Sequence, residues 1–209
     1  MVYRGRAVPL AWAVIAQGSS SGPHAASAAL LAAGPALLPG GVKVVFLADR
    51  GCADPELLAH LRRVGWHFRT RIKATFTVLR PGQPACQGED FSVAPGRALF
   101  LQHVALTTEP LGPVSLALAR HSRTGEAWDS VSDEPTSVFT FAEYGRRFAI
   151  AENFLDDKSN GFQRESSLVR EADALTRLCF VVAVATLYLV AQGTPVVAAQ
   201  NRRWVDPHW

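Results

Sequence analysis

Apolar and polar positions change period several times along the chain. The segment Val42–Ala48, VKVVFLA, is a short continuous run rich in β-branched residues, which predicts a strand buried on both faces in the middle of a sheet. The turn RGCA follows, and DPELLAHLRRVG then reads as a helix. Asp54 caps it, Pro55 suits its first turn, Glu56 suits the positive helix end and Gly65 ends it. Leu57, Leu58, Leu61 and Val64 form its apolar stripe. In WHFRTRIKA the period drops to two: His67, Arg69, Arg71 and Lys73 share one face, Trp66, Phe68, Thr70 and Ile72 the other. From about Pro81 to Phe141 the signals are strands and turns, as in RALFLQHVAL, VSLALARHS and AWDSVSD. Two helical segments follow, Ala142 to about Asn160 and Ala172 to Ala191; the tail NRRWVDPHW closes no element. Ahead of Val42, YRGRAVPLAWAVIA suggests one or two strands, with Gly5 and Pro9 marking a turn or an edge. GSSSGP reads as a loop, and HAASAALLAAGPALLPGG as a helix ended by Gly and Pro. This order predicts an α/β core interrupted by a β-rich insertion.

Two apolar stretches bear on location. MVYRGRAVPLAWAVIA resembles a signal peptide in outline, but Pro9 interrupts its apolar run. LCFVVAVATLYLVA, Leu178 to Ala191, is shorter than the ~20 residues a membrane span needs, and Gln192, Gly193 and Pro195 follow. The expectation is a core helix buried all round, with a membrane span as the alternative.

With 209 residues, 48% of them hydrophobic, the chain can bury one sizeable core. A net charge of +3 admits an anionic partner without requiring one. The three cysteines, Cys52, Cys86 and Cys179, have neither metal nor disulfide spacing, and the six histidines show no ligand pattern. A reducing, cytoplasmic setting is expected. Acids are unevenly placed: none precedes Asp49.

Asp49 ends the Val42–Ala48 strand, where open α/β sheets place their ligands. Alone it also reads as an ordinary turn or cap residue. In YGRRFAIAENFLDDKSNG, a continuous helix puts Arg147 at about −60° from Tyr144, Ala151 at about −20° and Lys158 at about −40°. Tyr144, Arg147 and Lys158 then share one edge, from which Glu152 lies about 80° away. Fork, point charge and hydroxyl make a reasonable phosphate clamp; the alternative is a solvated face. The strand from His67 to Lys73 is open in the same way, between a solvated face and a DNA-backbone contact. Cys52, with no His or Asn partner evident, reads as a small core or turn residue.

Three blocks, VVFLADRGCADPELLAHLRRVGWHFRTRIK, AWDSVSDEP and YGRRFAIAENFLDDKSNGFQRE, resemble consecutive blocks of the DDE transposases of bacterial insertion sequences. The class is the one marked by a Tyr-x2-Arg-x3-Glu-x6-Lys signature, and Tyr144, Arg147 and Lys158 match its spacing. The resemblance implies a ribonuclease-H-like core, about residues 1–66 and 142–195, with a β-rich insertion at about 67–141, as one domain incomplete at both ends. It implies three carboxylates holding two Mg²⁺ ions for DNA strand cleavage and transfer. Asp49 stands at the second catalytic Asp and is the expected metal ligand. Tyr144, Arg147 and Lys158 grip DNA phosphates, and Trp128 is the candidate for stacking on a displaced base; its alternative is the core of the insertion.

Two departures change what the resemblance implies. The signature Glu position is Ala151, and Glu152, a second acid common there, points along another helix face. The first Asp has no counterpart among residues 1–48. One carboxylate cannot position two metal ions. The expected function is therefore a transposase fragment without strand-transfer activity. The alternatives are a DNA-binding remnant that inhibits an intact transposase in trans, alone or as a homodimer, and a remnant that folds poorly.

Overall fold

The computed structural model describes residues 1–14, 24–73, 75–106 and 113–205. The GSSSGP loop lies outside the described residues. In chain order the elements are β1 (Val2–Tyr3), β2 (Arg6–Ala7), α1 (His24–Ala33), β3 (Val45–Ala48), α2 (Pro55–Arg63), β4 (His67–Arg71), β5 (Thr77–Leu79), β6 (Cys86–Gln87), β7 (Ala98–Leu106), β8 (Val114–Arg120), β9 (Ala127–Ser132), α3 (Val138–Gly145), α4 (Phe148–Leu155), α5 (Ala172–Ala198) and α6 (Arg202–Val205). They form two compact units, Pro39–Arg147 and Met1–Leu38 with Phe148–Trp209.

The Pro39–Arg147 unit is a seven-stranded sheet in the order β3-β4-β9-β8-β7-β5-β6. Only β3 and β4 are parallel, joined through α2 as a βαβ unit; the pairs β4–β9, β8–β9, β7–β8, β5–β7 and β5–β6 are antiparallel. The class is thus mixed α/β with a mostly antiparallel sheet. Asp54 caps α2 as expected, its Oδ1 accepting from the Leu57 N–H at 3.0 Å, and Leu58 and Leu61 are buried. Gly65 follows with φ +74°, a left-handed exit that favours glycine.

Strand alternation sorts this unit into layers. Phe68 faces α2, with the Arg62 guanidinium 5.7 Å from its ring centroid, whereas Arg69 faces α3, bonding Glu143. On β8 the large Leu116 and Leu118 are opposite Val131 and Asp129 on the α2 side. The small Ser115, Ala117 and Ala119 are opposite Ser132, Ser130 and Trp128 on the α3 side. The small residues leave room for α3 and its aromatic Tyr144.

Three expectations fail here. VKVVFLA was expected in mid-sheet, but β3 is the end strand of the described sheet and only Ala48 in it is buried. Its continuous apolar run cannot by itself tell a central strand from a half-covered edge. The face from His67 to Lys73 was expected to be solvated or to contact DNA; the solvated reading fails at Arg69, which is 4% exposed, while Lys73 is exposed. The Arg69 guanidinium bonds Glu134 Oε2 at 2.7 Å, Glu143 Oε2 at 3.2 Å and Ser132 Oγ at 2.8 Å. Buried charge requires such partners, and these acids lie more than 60 positions away in sequence. The helix expected from Ala142 to about Asn160 is α3, α4 and a π turn over Asp156–Asn160. After Gly145, a poor helix former, the amides of Arg146 and Arg147 reach back only three residues, to the carbonyls of Glu143 and Tyr144.

In the second unit, β1 and β2 form a hairpin whose turn takes Arg4 and Gly5 to positive φ, 51° and 81°. The hairpin packs on α4, with Arg6 Nη1 3.3 Å from Asp156 Oδ2. Helix α5 departs from expectation in length and in burial. It continues through Gly193 and Pro195 to Ala198. Proline removes one helix hydrogen bond, and one turn earlier Thr194 Oγ1 bonds the Val190 carbonyl at 2.8 Å. Only Val182 and Ala183 of α5 are buried, while Phe180, Val181, Leu187, Tyr188 and Leu189 are exposed. The expectation of a helix buried all round is wrong. By length and composition alone α5 could cross a bilayer, a test that core helices of soluble proteins also pass.

Candidate functional site

Asp49 stands at the C-terminal end of β3, past the parallel β3–β4 pair. Its carbonyl accepts from Thr70 Oγ1 at 2.9 Å, which ties the strand tip to β4. Its Oδ1 accepts from the Gly51 N–H at 2.9 Å, turning the carboxylate over the following turn. Gly51 is small for a reason: a Cβ there would lie 3.2 Å from that oxygen.

Asp49, Arg147 and Arg71 all act on Tyr144. Arg147 lies 5.9 Å from the Tyr144 ring centroid, and its charge also reaches Cys52. Arg71 lies 5.3 Å from the Trp128 ring centroid, bonds the Ala127 carbonyl and pairs with Glu126 Oε1 at 3.3 Å. Trp128 and Tyr144 meet edge to face, centroids 6.3 Å apart at 86°, a favoured aromatic geometry. Tyr144 is fully buried; its hydroxyl makes no well-formed hydrogen bond, although the Arg147 guanidinium lies close enough to pull on it. Burial pushes the Tyr144 hydroxyl above the ordinary phenol pKa, against the opposing pull of Arg147 and Arg71.

Four of the residues singled out from sequence thus fall in this unit: Asp49, Tyr144, Arg147 and Trp128. The other two, Glu152 and Lys158, belong to the other unit. There Glu152 Oε2 lies 4.0 Å from Arg6 Nη1, and Lys158 Nζ lies 3.4 Å from Glu165 Oε1. All four of these side chains are largely exposed, so both pairs are weak. Because the helix is interrupted, the regular 100° spacing that placed Lys158 on an edge with Tyr144 does not hold.

Cys52 and Arg71 join the site without having been singled out for it. Partial burial and the Asp49 carboxylate hold the Cys52 thiol above its ordinary pKa, while Arg147 pulls the other way. This gives a chemical test of the cluster in a Cys86→Ser, Cys179→Ser background. Asp49→Ala is expected to speed the reaction of Cys52 with a disulfide reagent at pH 7, because more thiolate forms; Arg147→Ala is expected to slow it. If both changes move the rate in the same direction, the three side chains do not share one field.

Comparison of the chain with family models, curated proteins and solved structures returns no match.

The chemistry of the site must therefore be read from its own donors. Mg²⁺ takes near-octahedral oxygen ligands and usually at least one or two carboxylates alongside substrate phosphate. The charges that act with Asp49 on Cys52 and Tyr144 are those of Arg147 and Arg71, and one oxygen of its carboxylate already accepts from Gly51. Among the described residues no group of three or more His, Cys, Asp or Glu is placed to hold a metal ion. The Asp49 cluster by itself does not suit Mg²⁺. Paired guanidiniums over aromatic faces suit an anion with a planar or phosphate group better.

Proposed function

We propose that this chain is a DDE-transposase derivative that binds DNA through the Arg147–Arg71 side of the Asp49 cluster and does not transfer strands. The observation that carries the reading is the composition of that cluster. The Asp49 carboxylate at the tip of β3 and the Arg147 guanidinium act on the same two groups, Cys52 and Tyr144, and Tyr144 packs on Trp128. A two-metal site needs several converging acids; a phosphate contact needs a fork of donors. The sequence signature Tyr144, Arg147 and Lys158 supports the same partner, and Ala151 in place of the signature Glu supports inactivity. Binding to transposon ends would make the chain a competitor of an intact transposase.

Two measurements test the proposal. Supercoiled DNA with Mg²⁺ or Mn²⁺ is expected to be nicked no faster by this chain than by its Asp49→Ala variant; nicking that depends on Asp49 refutes the inactive reading. Duplex affinity is expected to fall steeply with salt. Arg147→Ala should weaken binding and reduce the log–log salt slope by about 0.9 for each lost phosphate contact. Absence of binding at low salt, or a slope unchanged in Arg147→Ala, removes the DNA-binding reading.

A further inference from the structure

We propose that the cavity in the unit formed by Met1–Leu38 and Phe148–Trp209 binds a small zwitterion with an apolar tail, of the size and chemistry of an aromatic or branched α-amino acid. The cavity measures about 620 Å³, and every residue lining it belongs to this unit. That volume lies within the range of small-molecule sites.

The walls follow from helix periodicity. Ile150, Asn153, Phe154 and Asp157 recur at the spacing of one helix face along α4 and into the π turn. Leu175, Cys179 and Val182 do the same on α5, and Trp12 adds an aromatic surface. Most of this lining is apolar, so a ligand gains chiefly by burying a hydrocarbon or aromatic tail.

Two opposite charges line this apolar setting, a buried Asp157 and a half-buried Arg164. Asp157 is 9% exposed. Its carboxylate accepts from Asn153 Nδ2 at 3.1 Å through Oδ2, while Oδ1 is buried without a hydrogen-bond partner. An unpaired buried carboxylate oxygen is costly. Arg164 is near enough for its charge to act on Asp157, yet no ion pair within 4.0 Å joins the two. Its Nη1 rests 3.8 Å from Cys179 Sγ, a weak acceptor. Met1 also lines the cavity, but its ammonium bonds the Val8 carbonyl at 2.8 Å. Burial holds the Asp157 carboxyl above its ordinary pKa, with Arg164 pulling it down and Asp156 adding to the rise. A bound ammonium would add a third downward pull to those of Arg164 and the Asn153 hydrogen bond.

A ligand carrying one charge serves one of these groups and leaves the other. An amine would pair with Asp157 and repel Arg164; a carboxylate would do the reverse. An ammonium and a carboxylate on one carbon serve both, with the tail on the Trp12 and Phe154 side of the lining.

Isothermal titration of the full chain with L-phenylalanine and L-leucine tests this directly. Both are expected to bind saturably. N-acetyl-phenylalanine, without the ammonium, and phenylalaninamide, without the carboxylate, are each expected to bind roughly tenfold more weakly or worse. Asp157→Asn should weaken phenylalanine and leave N-acetyl-phenylalanine nearly unchanged; Arg164→Gln should weaken phenylalanine and leave phenylalaninamide nearly unchanged. The analogue series uses the unaltered chain, so it decides the matter even if a variant fails to fold. No saturable binding of either amino acid overturns the proposal. So does equal binding of phenylalanine and its two blocked forms, or tighter binding of phenethylamine, a cation without the carboxylate.

Discussion

Arg69→Ala is expected to destabilise the Pro39–Arg147 unit by about 3–5 kcal/mol, the cost of leaving buried charge without its partner. In a unit of this size that lowers the melting midpoint by on the order of 20 °C. Arg69 spreads its donors over Glu134, Glu143, Ser132 and the Phe68 carbonyl. Asp133 lies 3.9 Å from Nη1, and His67 Nδ1 meets Asp133 Oδ2 at 2.8 Å. Removing the guanidinium leaves three acids with His67, the Phe68 N–H on Asp133, and the exposed Lys43, which bonds Glu134 Oε1 at 2.7 Å. Arg69→Lys is expected to recover little, since a point charge cannot span two carboxylates as a fork does.

The same cluster sets a pH dependence. Burial would raise the Glu134 pKa, but the bonds from Lys43 and Arg69 prevail and hold it below its ordinary value of 4.5. A depressed carboxylate stabilises the fold above its unfolded pKa, and the benefit fades as pH falls through the folded value. Stability in urea, followed from pH 7 down through the range below 4.5, should therefore decline in the parent chain. In Arg69→Ala the share of that decline due to Glu134 should be smaller. Chemical denaturation of the parent, Arg69→Ala and the triple change Arg69→Met, Glu134→Gln, Glu143→Gln completes the test. The triple variant should regain part of the loss, because neutral groups cost less to bury than unpaired ions. An Arg69→Ala variant within about 1 kcal/mol of the parent would mean that the guanidinium is solvated.

This cluster also marks the limit of what local pattern conveys. The alternation of His67, Arg69 and Arg71 is visible in the sequence, and so is the strand it makes. The acids that neutralise its face are brought near only by the β4–β9 pairing and by α3, and no local period encodes that. The Asp54 cap and the Leu58–Leu61 stripe were legible because their partners lie within a few residues. Gly145 was visible as well, yet the interruption of the helix depended on two amides choosing carbonyls three residues back. For α5 the apolar composition was read as a request for burial, but composition states what a surface prefers, not what covers it. At the candidate site, the sequence signature picked out Tyr144 and Arg147, and the strand end picked out Asp49. The field linking them to Cys52 and Arg71 needed tertiary distances.

Tyr144 separates a gripping role from a supporting one. Tyr144→Ala is expected to cost about 3–5 kcal/mol, as for other large aromatic truncations in a core. The ring is fully buried against Trp128 and beneath Arg147. Tyr144→Phe should change stability by less than about 1 kcal/mol, because the buried hydroxyl it removes makes no well-formed hydrogen bond and has only the Arg147 guanidinium close by. If the tyrosine only supports Arg147, Tyr144→Phe also keeps the parent's DNA affinity and salt slope, while Arg147→Ala loses both. If the hydroxyl itself grips a phosphate, Tyr144→Phe weakens binding by an amount comparable to Arg147→Ala. That result would require the ring to leave its packed position when DNA binds. Urea denaturation and salt-dependent duplex titration on the same three variants distinguish the cases, since packing loss appears in the first measurement and phosphate loss in the second. The buried geometry of Tyr144 favours the supporting role.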